Sequence, residues 1–343
     1  MNSFGSLFRV SIYGESHGEG VGILIDGCPP GVKFSEEDML EDLARRKAGG
    51  AGTTKRIESD YPKIMSGVCN GYTTGAPINI FFNNENTRSK DYSLFRRMPR
   101  PGHSDFVAEH KYSGYNDIRG GGHFSGRLTL GLVAAGVLAK RVVGDLQGGG
   151  IEVQGRLVEA GGVDVREYTG EQMELYMERI QQEGDSIGGV IEFTARNMPI
   201  GLGDPFFGSL ESVMSQMIFS IPAVKGIEFG AGFEGCKLRG SQHNDRIMDR
   251  EGHTASNNNG GVNGGISNGN DVVFRVGIKP TSSIFVPQET YNFEEKKMDE
   301  LQIKGRHDSC IARRAVVVVE NAAAIVLADL MLRARGINKN IFK

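Results

Sequence analysis

The chain has 343 residues, and its 39 basic against 42 acidic side chains leave a net charge of −3. That balance argues against nucleic-acid or membrane binding by the protein as a whole, while leaving room for a local basic pocket. Hydrophobic residues make up 39% of the chain, enough for a sizeable core. The 49 glycines lie among apolar runs, so the composition points to tight turns and close backbone approaches rather than to disorder.

Cys28, Cys69, Cys236 and Cys310 are far apart and form no C-x-x-C pair. They suggest neither a zinc knuckle nor a disulfide framework, and free, mostly buried thiols in a reducing cytoplasm are expected. The opening MNSFGSLFRV has no basic stretch followed by a long apolar run, so no signal peptide is expected. The apolar run from Ala322 to Leu332 is broken by Asp329 and is too short to span a bilayer. No repeat, low-complexity tract or linker stands out, so residues 1–343 read as a single domain.

In chain order, strands are predicted at Phe8 to Tyr13 and Gly20 to Ile25, ended by the Pro29-Pro30-Gly31 turn. Ser35 opens a helix in which Ser35 and Asp38 resemble a capping box, Met39, Leu40 and Leu43 form the apolar stripe, and Arg45, Arg46 and Lys47 crowd the end. Ile78 to Phe82 is a strand. Ser125 to Val143 is a helix apolar on most faces, hence buried. Glu171 to Glu183 is an amphipathic helix. Val190 to Ala195, Asp271 to Ile278 and Ala315 to Val319 read as strands, and Asn321 to Arg335 as a closing helix stopped at Gly336. The irregular alternation predicts α+β layers rather than a regular parallel order.

Chemistry-bearing residues cluster in glycine-rich loops. Gly14-Glu15-Ser16-His17-Gly18 follows a strand, and Arg100-Pro101-Gly102-His103-Ser104-Asp105 puts a second histidine in a tight loop. Two positioned histidines suit acid–base work near neutral pH. They could also be metal ligands, but no HExxH, cysteine partner or suitably spaced carboxylate accompanies them, so metal is the weaker reading. Asp117 to Arg127 places three glycines and two arginines ahead of the buried helix. The reading is either an anion site or a hinge, and the segment matches neither a P-loop nor a dinucleotide fingerprint. Lys279-Pro280-Thr281-Ser282-Ser283 offers a cation and three hydroxyls at a strand end, or an ordinary turn. In Lys304-Gly305-Arg306-His307-Asp308-Ser309-Cys310, followed by Arg313 and Arg314, arginines facing a pocket would grip an anion and Asp308 could act as a base. On a surface the same run would be a solvated charge cluster. Arg45-Arg46-Lys47 is also explained by the helix dipole alone. Together these loops suggest a site for a small, highly anionic ligand.

GESHG, RPGHSD, DIRGGG, GDSIGG, AVKG, RGSQ, KPTSS and KGRHD occur in this order across nearly the whole chain. In this the sequence resembles the chorismate synthase family. The resemblance implies a 1,4-anti elimination of phosphate from 5-enolpyruvylshikimate 3-phosphate, with reduced FMN and no net redox change. It implies a homotetramer of β-α-β layering, with antiparallel-rich sheets around helices, in the cytoplasm, without a membrane or nucleic-acid partner and without a metal. It puts His17 at the leaving phosphate, His103 at the flavin and Asp308 near flavin N5 as proton relay. Arg46, Arg100, Arg127 and Arg306 are implied on the substrate. His123, Phe124, Ser125, Ala223, Gly264, Lys279, Pro280, Thr281, Ser282, Ser283 and Arg306 are implied on the flavin. NADPH enters only as an indirect source of electrons. The alternatives are a bifunctional form that reduces its own flavin with NADPH, and a weakened binder of phosphorylated metabolites. The chain departs from the family pattern where RSSAR becomes His123-Phe124-Ser125-Gly126-Arg127, where SNHAGG becomes Ser256-Asn257-Asn258-Asn259-Gly260-Gly261, where GRHDP becomes GRHDS, and where Ala51-Gly52 stands in place of a further arginine.

Overall fold

The structure is a computed structural model that describes residues 1–47, 59–85, 92–148, 150–303 and 308–338. One antiparallel sheet is built from β1 (Ser3–Phe4), β2 (Arg9–Gly14), β3 (Gly20–Asp26), β4 (Lys63–Ser66) and β5 (Ile78–Asn83), in the order β1-β2-β3-β5-β4. Its inward face alternates as a half-buried sheet must, with Val21, Ile23 and Ile25 of β3 beside Ile78, Ile80 and Phe82 of β5, all buried. The second antiparallel sheet holds β6 (Glu152–Ala160), β7 (Val163–Asp164), β8 (Gly189–Arg196), β9 (Val224–Phe229) and β10 (Val272–Ile278), in the order β9-β10-β8-β6-β7.

The helices are α1 (Leu40–Arg46), α2 (Ser93–Arg97), α3 (Asp105–Lys111), α4 (Thr129–Gln147), α5 (Gly170–Glu183), α6 (Leu210–Ile218) and α7 (Ala312–Ile337), with shorter turns between them. α4 lies on the first sheet, α7 on the second, and the two helices pack on each other. One apolar core therefore runs through sheet, helix, helix and sheet. This is the expected α+β layering. Gly136 makes the helix contact possible: a Cβ there would stand 2.3 Å from Cβ of Asn321 and 2.5 Å from its Cα.

Ala315 to Val319 is not a strand but the second turn of α7, which also begins nine residues before the expected start. Four consecutive valines favour a strand only where one face is solvated. Here Val317, Val318 and Val319 are buried, and no Gly or Pro breaks the run that follows, so burial overrides propensity. α7 is long and apolar enough to cross a membrane, but 83% of its most apolar stretch is buried inside the fold, as befits a core helix. Asp329 survives there, 1% exposed, because its Oδ1 accepts from the backbone N–H groups of Ser6, Leu7 and Phe8 at 2.6–2.9 Å. α4 starts at Thr129 rather than Ser125, because Ser125 Oγ accepts from the Arg127 N–H and opens a short 3-10 turn first. The strand β6, the helix α6 and the hairpin of Gln288–Asn292 with Lys297–Leu301 carried no sequence signal that the motif reading used. Of the four free thiols, Cys28 and Cys310 are buried while Cys69 and Cys236 are exposed.

Two glycines on α4 respond oppositely to the same change. Gly136→Ala forces the helices apart and is expected to lower stability by about 1–3 kcal/mol. A Cβ at Gly144 meets nothing within 4 Å, so Gly144→Ala is expected to raise stability by about 0.5–1 kcal/mol through helix propensity. Urea denaturation of both variants checks the pair, and equal effects would remove the close-contact explanation.

Candidate functional site

The sheets deliver their functional loops to one end of the layered core. β2 ends at Gly14 and leads into His17. In the second sheet Val224 pairs with Ile278, and the Lys279 N–H donates to the Ala223 carbonyl at 2.9 Å. This register sets Ala223 beside the turn from Lys279 to Ser283. Between these loops and the first turns of α4 and α7 lies a cavity of about 1370 Å³, larger than the roughly 300–1,000 Å³ usual for one small ligand. His17, Arg46, Arg100, His103, His123, Phe124, Ser125, Arg127, Ala223, Lys279, Pro280, Thr281, Ser282, Ser283 and Asp308 all line it. Gly264 does not; it sits in the turn between Val262–Asn263 and Ile266–Ser267. Arg306 lies outside the described residues, with the rest of 304–307.

The three glycines expected to head the buried helix do something different. Gly120, Gly121 and Gly122 take φ of +59°, +83° and +52° and form a left-handed turn between the two histidines. A Cβ at Gly120 would stand 2.2 Å from Cε1 of His17, and one at Gly121 would stand 3.8 Å from Cε1 of His103. The Ser16 N–H donates to the Gly122 carbonyl at 3.1 Å and ties the His17 turn to this loop. His123 Nδ1 lies 2.8 Å from the Gly14 carbonyl, so it carries a proton and donates to the end of β2.

His103 Nδ1 lies 2.7 Å from Asp105 Oδ1 and 3.1 Å from Arg100 Nη2. Both contacts cannot be hydrogen bonds at once, because an arginine only donates. The carboxylate contact is shorter, and Arg100 already donates to both Asp105 oxygens at 2.7 Å, so Nδ1 carries the proton and Nε2 is left to act. Burial alone would raise the Asp105 carboxyl, but the bonds from Arg100 and His103 overcome it and hold the group well below the usual range. Arg100 Nη1 donates onward to Ser283 Oγ at 3.0 Å. Lys279 Nζ donates to the Gly102 carbonyl at 2.7 Å and to Ser282 Oγ at 2.9 Å. Burial first, and then the charge of Lys225, pushes its pKa down. The buried hydroxyl of Thr281 has no hydrogen-bond partner among the described residues.

The opposite wall is cationic. Arg46 is 6% exposed and donates to Thr129 Oγ1 at 2.9 Å and to the Gly126 carbonyl at 2.8 Å. Its charge partner, Asp60, is 3.8 Å away and is shared with Arg127 at 2.8 Å. Arg314 Nε donates to the Arg46 carbonyl at 2.9 Å and its Nη1 to Asp308 at 2.7 Å. Among the described residues, three guanidiniums thus face two carboxylates. Burial, and next the charge of Arg314, pushes Arg46 down to about 9. Sequence reasoning assigned no role to Asp105 or Asp60. Asp105 lay inside a quoted motif but carried no signal beyond its charge, and Asp60 is brought in only by the fold. Arg314, expected among the arginines that would grip an anion, does line the cavity.

Because burial and the charge of Arg314 push Arg46 down to about 9, its charge costs stability at neutral pH, and that cost fades as pH rises above about 9. Arg46→Met is therefore expected to leave the thermal midpoint of the unliganded protein unchanged or higher at neutral pH. It should weaken inorganic phosphate binding roughly 10- to 100-fold, the worth of one charged contact. Thermal melts with and without phosphate check both, and a midpoint several degrees lower in the unliganded variant would contradict the surplus of charge.

A sequence model of the family described as Chorismate synthase matches residues 8–332. The chain is 54% identical over 343 residues to a chorismate synthase of Chitinophaga pinensis, with 100% of both chains covered. It is 45% identical to one of Korarchaeum cryptofilum, over 96% of this chain and 97% of that one. A crystal structure of chorismate synthase superposes with a TM-score of 0.75 at 29% identity, covering 97% of this chain and 94% of that chain. Full-length identity at this level, on the same layered fold, leaves one assignment for the cavity and its carrier: the chain is a carbon–oxygen lyase that belongs to the chorismate synthase family.

Proposed function

We propose that the enzyme works by eliminating phosphate from 5-enolpyruvylshikimate 3-phosphate across C–H and C–O bonds in 1,4-anti relation, with reduced FMN bound in the same cavity and no net redox change. The gathering of Arg127 and Arg314 around a buried Arg46, whose carboxylate neighbour Asp60 stands 3.8 Å away, carries this reading. A substrate with a phosphate and two carboxylates supplies the charge that wall lacks.

The residues fit a flavin beside the substrate. The cavity exceeds the size of a one-ligand pocket, and the Thr281 hydroxyl is buried and unpartnered within the described residues, at the turn rich in hydroxyls. When bound, reduced flavin supplies transient electron density that eases C–O cleavage. The chain's own groups do the rest. Arg46 and Arg127 neutralise the substrate, and Arg306, outside the described residues, is assigned to both ligands. Arg100, whose donors meet Asp105 and Ser283, adds charge while fixing His103. His17 gives a proton to the leaving phosphate. His103, oriented by Asp105, presents Nε2 to the flavin. Asp308, held by Arg314, takes the proton lost from the substrate. His123, Phe124, Ser125, Ala223 and the Lys279 to Ser283 turn form the flavin wall.

Gly264 lies outside this protomer's cavity, so a flavin contact there requires a neighbouring copy. A homotetramer accords with that and with the exposed Phe206, Phe207 and Phe233 at 86%, 97% and 78%. We read the chain as one domain acting in the cytoplasm, consistent with its four free thiols. NADPH serves only upstream, to reduce flavin.

An anaerobic assay tests this reading. Chemically reduced FMN should support release of phosphate and chorismate in equal amounts, while NADPH with oxidised FMN should not; phosphate release indifferent to flavin would sink the proposal. His103→Ala should lower turnover by roughly 10²–10⁴, and a loss under twofold would remove His103 from the chemistry.

A further inference from the structure

Tyr92 stands one residue before α2 and belongs to none of the motifs that identify the site. It lines the cavity together with His17, Phe95, Arg100 and His103. Its hydroxyl lies 3.2 Å from Nε2 of His17, and its ring meets the imidazole edge-on with centroids 5.4 Å apart and an interplanar angle of 76°. Behind it, Phe95 tilts against the tyrosine ring at 6.1 Å, and the Arg100 guanidinium sits over Phe95 at 4.3 Å. Arg100 is the residue that fixes His103 and Asp105. Tyr92, Phe95 and Arg100 thus form one packed strut from the first histidine to the second. The strut is anchored outside the main core, where Leu94, Phe95 and Met98 pack on Leu301 and Ile303.

We infer that Tyr92 is a positioning residue for His17, holding its imidazole in place in both protonation states and favouring the protonated one. A phenol both donates and accepts, so its bond to Nε2 survives gain or loss of the proton without rotation of the ring. The bond is stronger when the imidazolium donates, because a charged donor roughly doubles it. Tyr92 thereby keeps His17 charged to higher pH, which is what a proton donor to a leaving phosphate requires. Among the described residues, Asp117 beneath the glycine loop is a further charged group that interacts with the ring, and Glu15 stands two residues before it in the same turn. Asp117 is held ionised by Arg119 first and by His17 besides. Tyr92→Phe leaves these groups and the ring contacts in place and removes the hydroxyl alone.

The role of His17 as proton donor rests on the proposed reaction, so the test has two arms. In the first, full-length protein with ¹⁵N-labelled histidine is titrated, with His17→Gln used to assign the signal. Tyr92→Phe should lower the His17 midpoint by about 0.5 unit, the size expected for one net hydrogen bond, and leave the remaining histidines and the thermal midpoint unchanged. An unshifted His17, or a shift shared by all the histidines, overturns the inference. In the second arm, Tyr92→Phe should lower kcat roughly 2- to 3-fold near pH 8, the most that a half-unit loss of the protonated form can take away. KM should stay within twofold, and the basic limb of the pH profile should move down by the same half unit. A fall in turnover that is uniform with pH, or carried by KM, also overturns it. If the parent protein makes no chorismate yet the titration shift is present, the positioning of His17 stands and the reaction assignment fails.

Discussion

A buried charge imbalance organises this protein's active end. Arg46 sits at the close of α1 with almost no exposure, next to Arg127 and Arg314, and among the described residues Asp60 and Asp308 are the carboxylates that face the three cations. Taking a guanidinium out of water is costly unless it is fully paired. Asp60 stands 3.8 Å from Arg46, and burial and the charge of Arg314 push Arg46 down to about 9. A protein tolerates such a group where a ligand completes the pairing. The overall charge of −3 is consistent with this, because the positive potential is confined to one crevice rather than spread over the surface.

Holding that imbalance requires a rigid frame, and the frame is the pair of core helices. α7 carries Arg314 in its first turn, and the turn leading into α4 carries Arg127. Their separation is set where Gly136 meets Asn321. A second tie runs through α1: Arg45 donates to both Glu320 oxygens on α7 at 2.6 and 2.8 Å, and Asp42 accepts from Lys140 on α4 at 2.6 Å and from Asn321 at 2.9 Å. The residue preceding Arg46 is thus clamped to one core helix, and a residue one turn back to both. The basic triplet Arg45-Arg46-Lys47, which the helix dipole alone would explain, divides its labour. Arg45 fastens the helix and Arg46 faces the cavity.

How much of this could be read from the chain differs by kind of feature. The loops were legible, because His17, His103, Arg127 and Asp308 lie in short glycine- or proline-fixed stretches whose chemistry shows locally. The half-buried strands β3, β8 and β10 were legible from alternation. The second turn of α7 was not, since a run of valines means strand or buried helix depending on what covers it. Asp60 and Tyr92 were invisible for a related reason: each matters through a partner far away in sequence, and a lone charged or aromatic residue outside a motif advertises nothing. Gly120 to Gly122 were noticed as an anion site or a hinge, but the close approach was not legible: a Cβ at Gly120 would stand 2.2 Å from the His17 ring, and one at Gly122 2.0 Å from the Asp117 carbonyl.

The departure from RSSAR to His123-Phe124-Ser125-Gly126-Arg127 shows how the same frame absorbs change. His123 turns its ring to the Gly14 carbonyl and reinforces the turn that carries His17. Phe124 is 40% exposed and leans toward Tyr112 at 6.2 Å, so it adds an apolar surface to the cavity mouth and no charge. The last residue of the motif, Arg127, keeps the contact that matters for anion binding, donating to Asp60 at 2.8 Å and to the Asn83 carbonyl at 2.9 Å. Across the cavity, the positive charge that the wall offers an anion rests on Lys279 and Lys225, whose mutual repulsion lowers the Lys279 pKa beyond what burial does. An anion lodged between those two lysines would relieve the same kind of repulsion that an anion beside Arg46 would relieve, one physical principle acting on opposite walls.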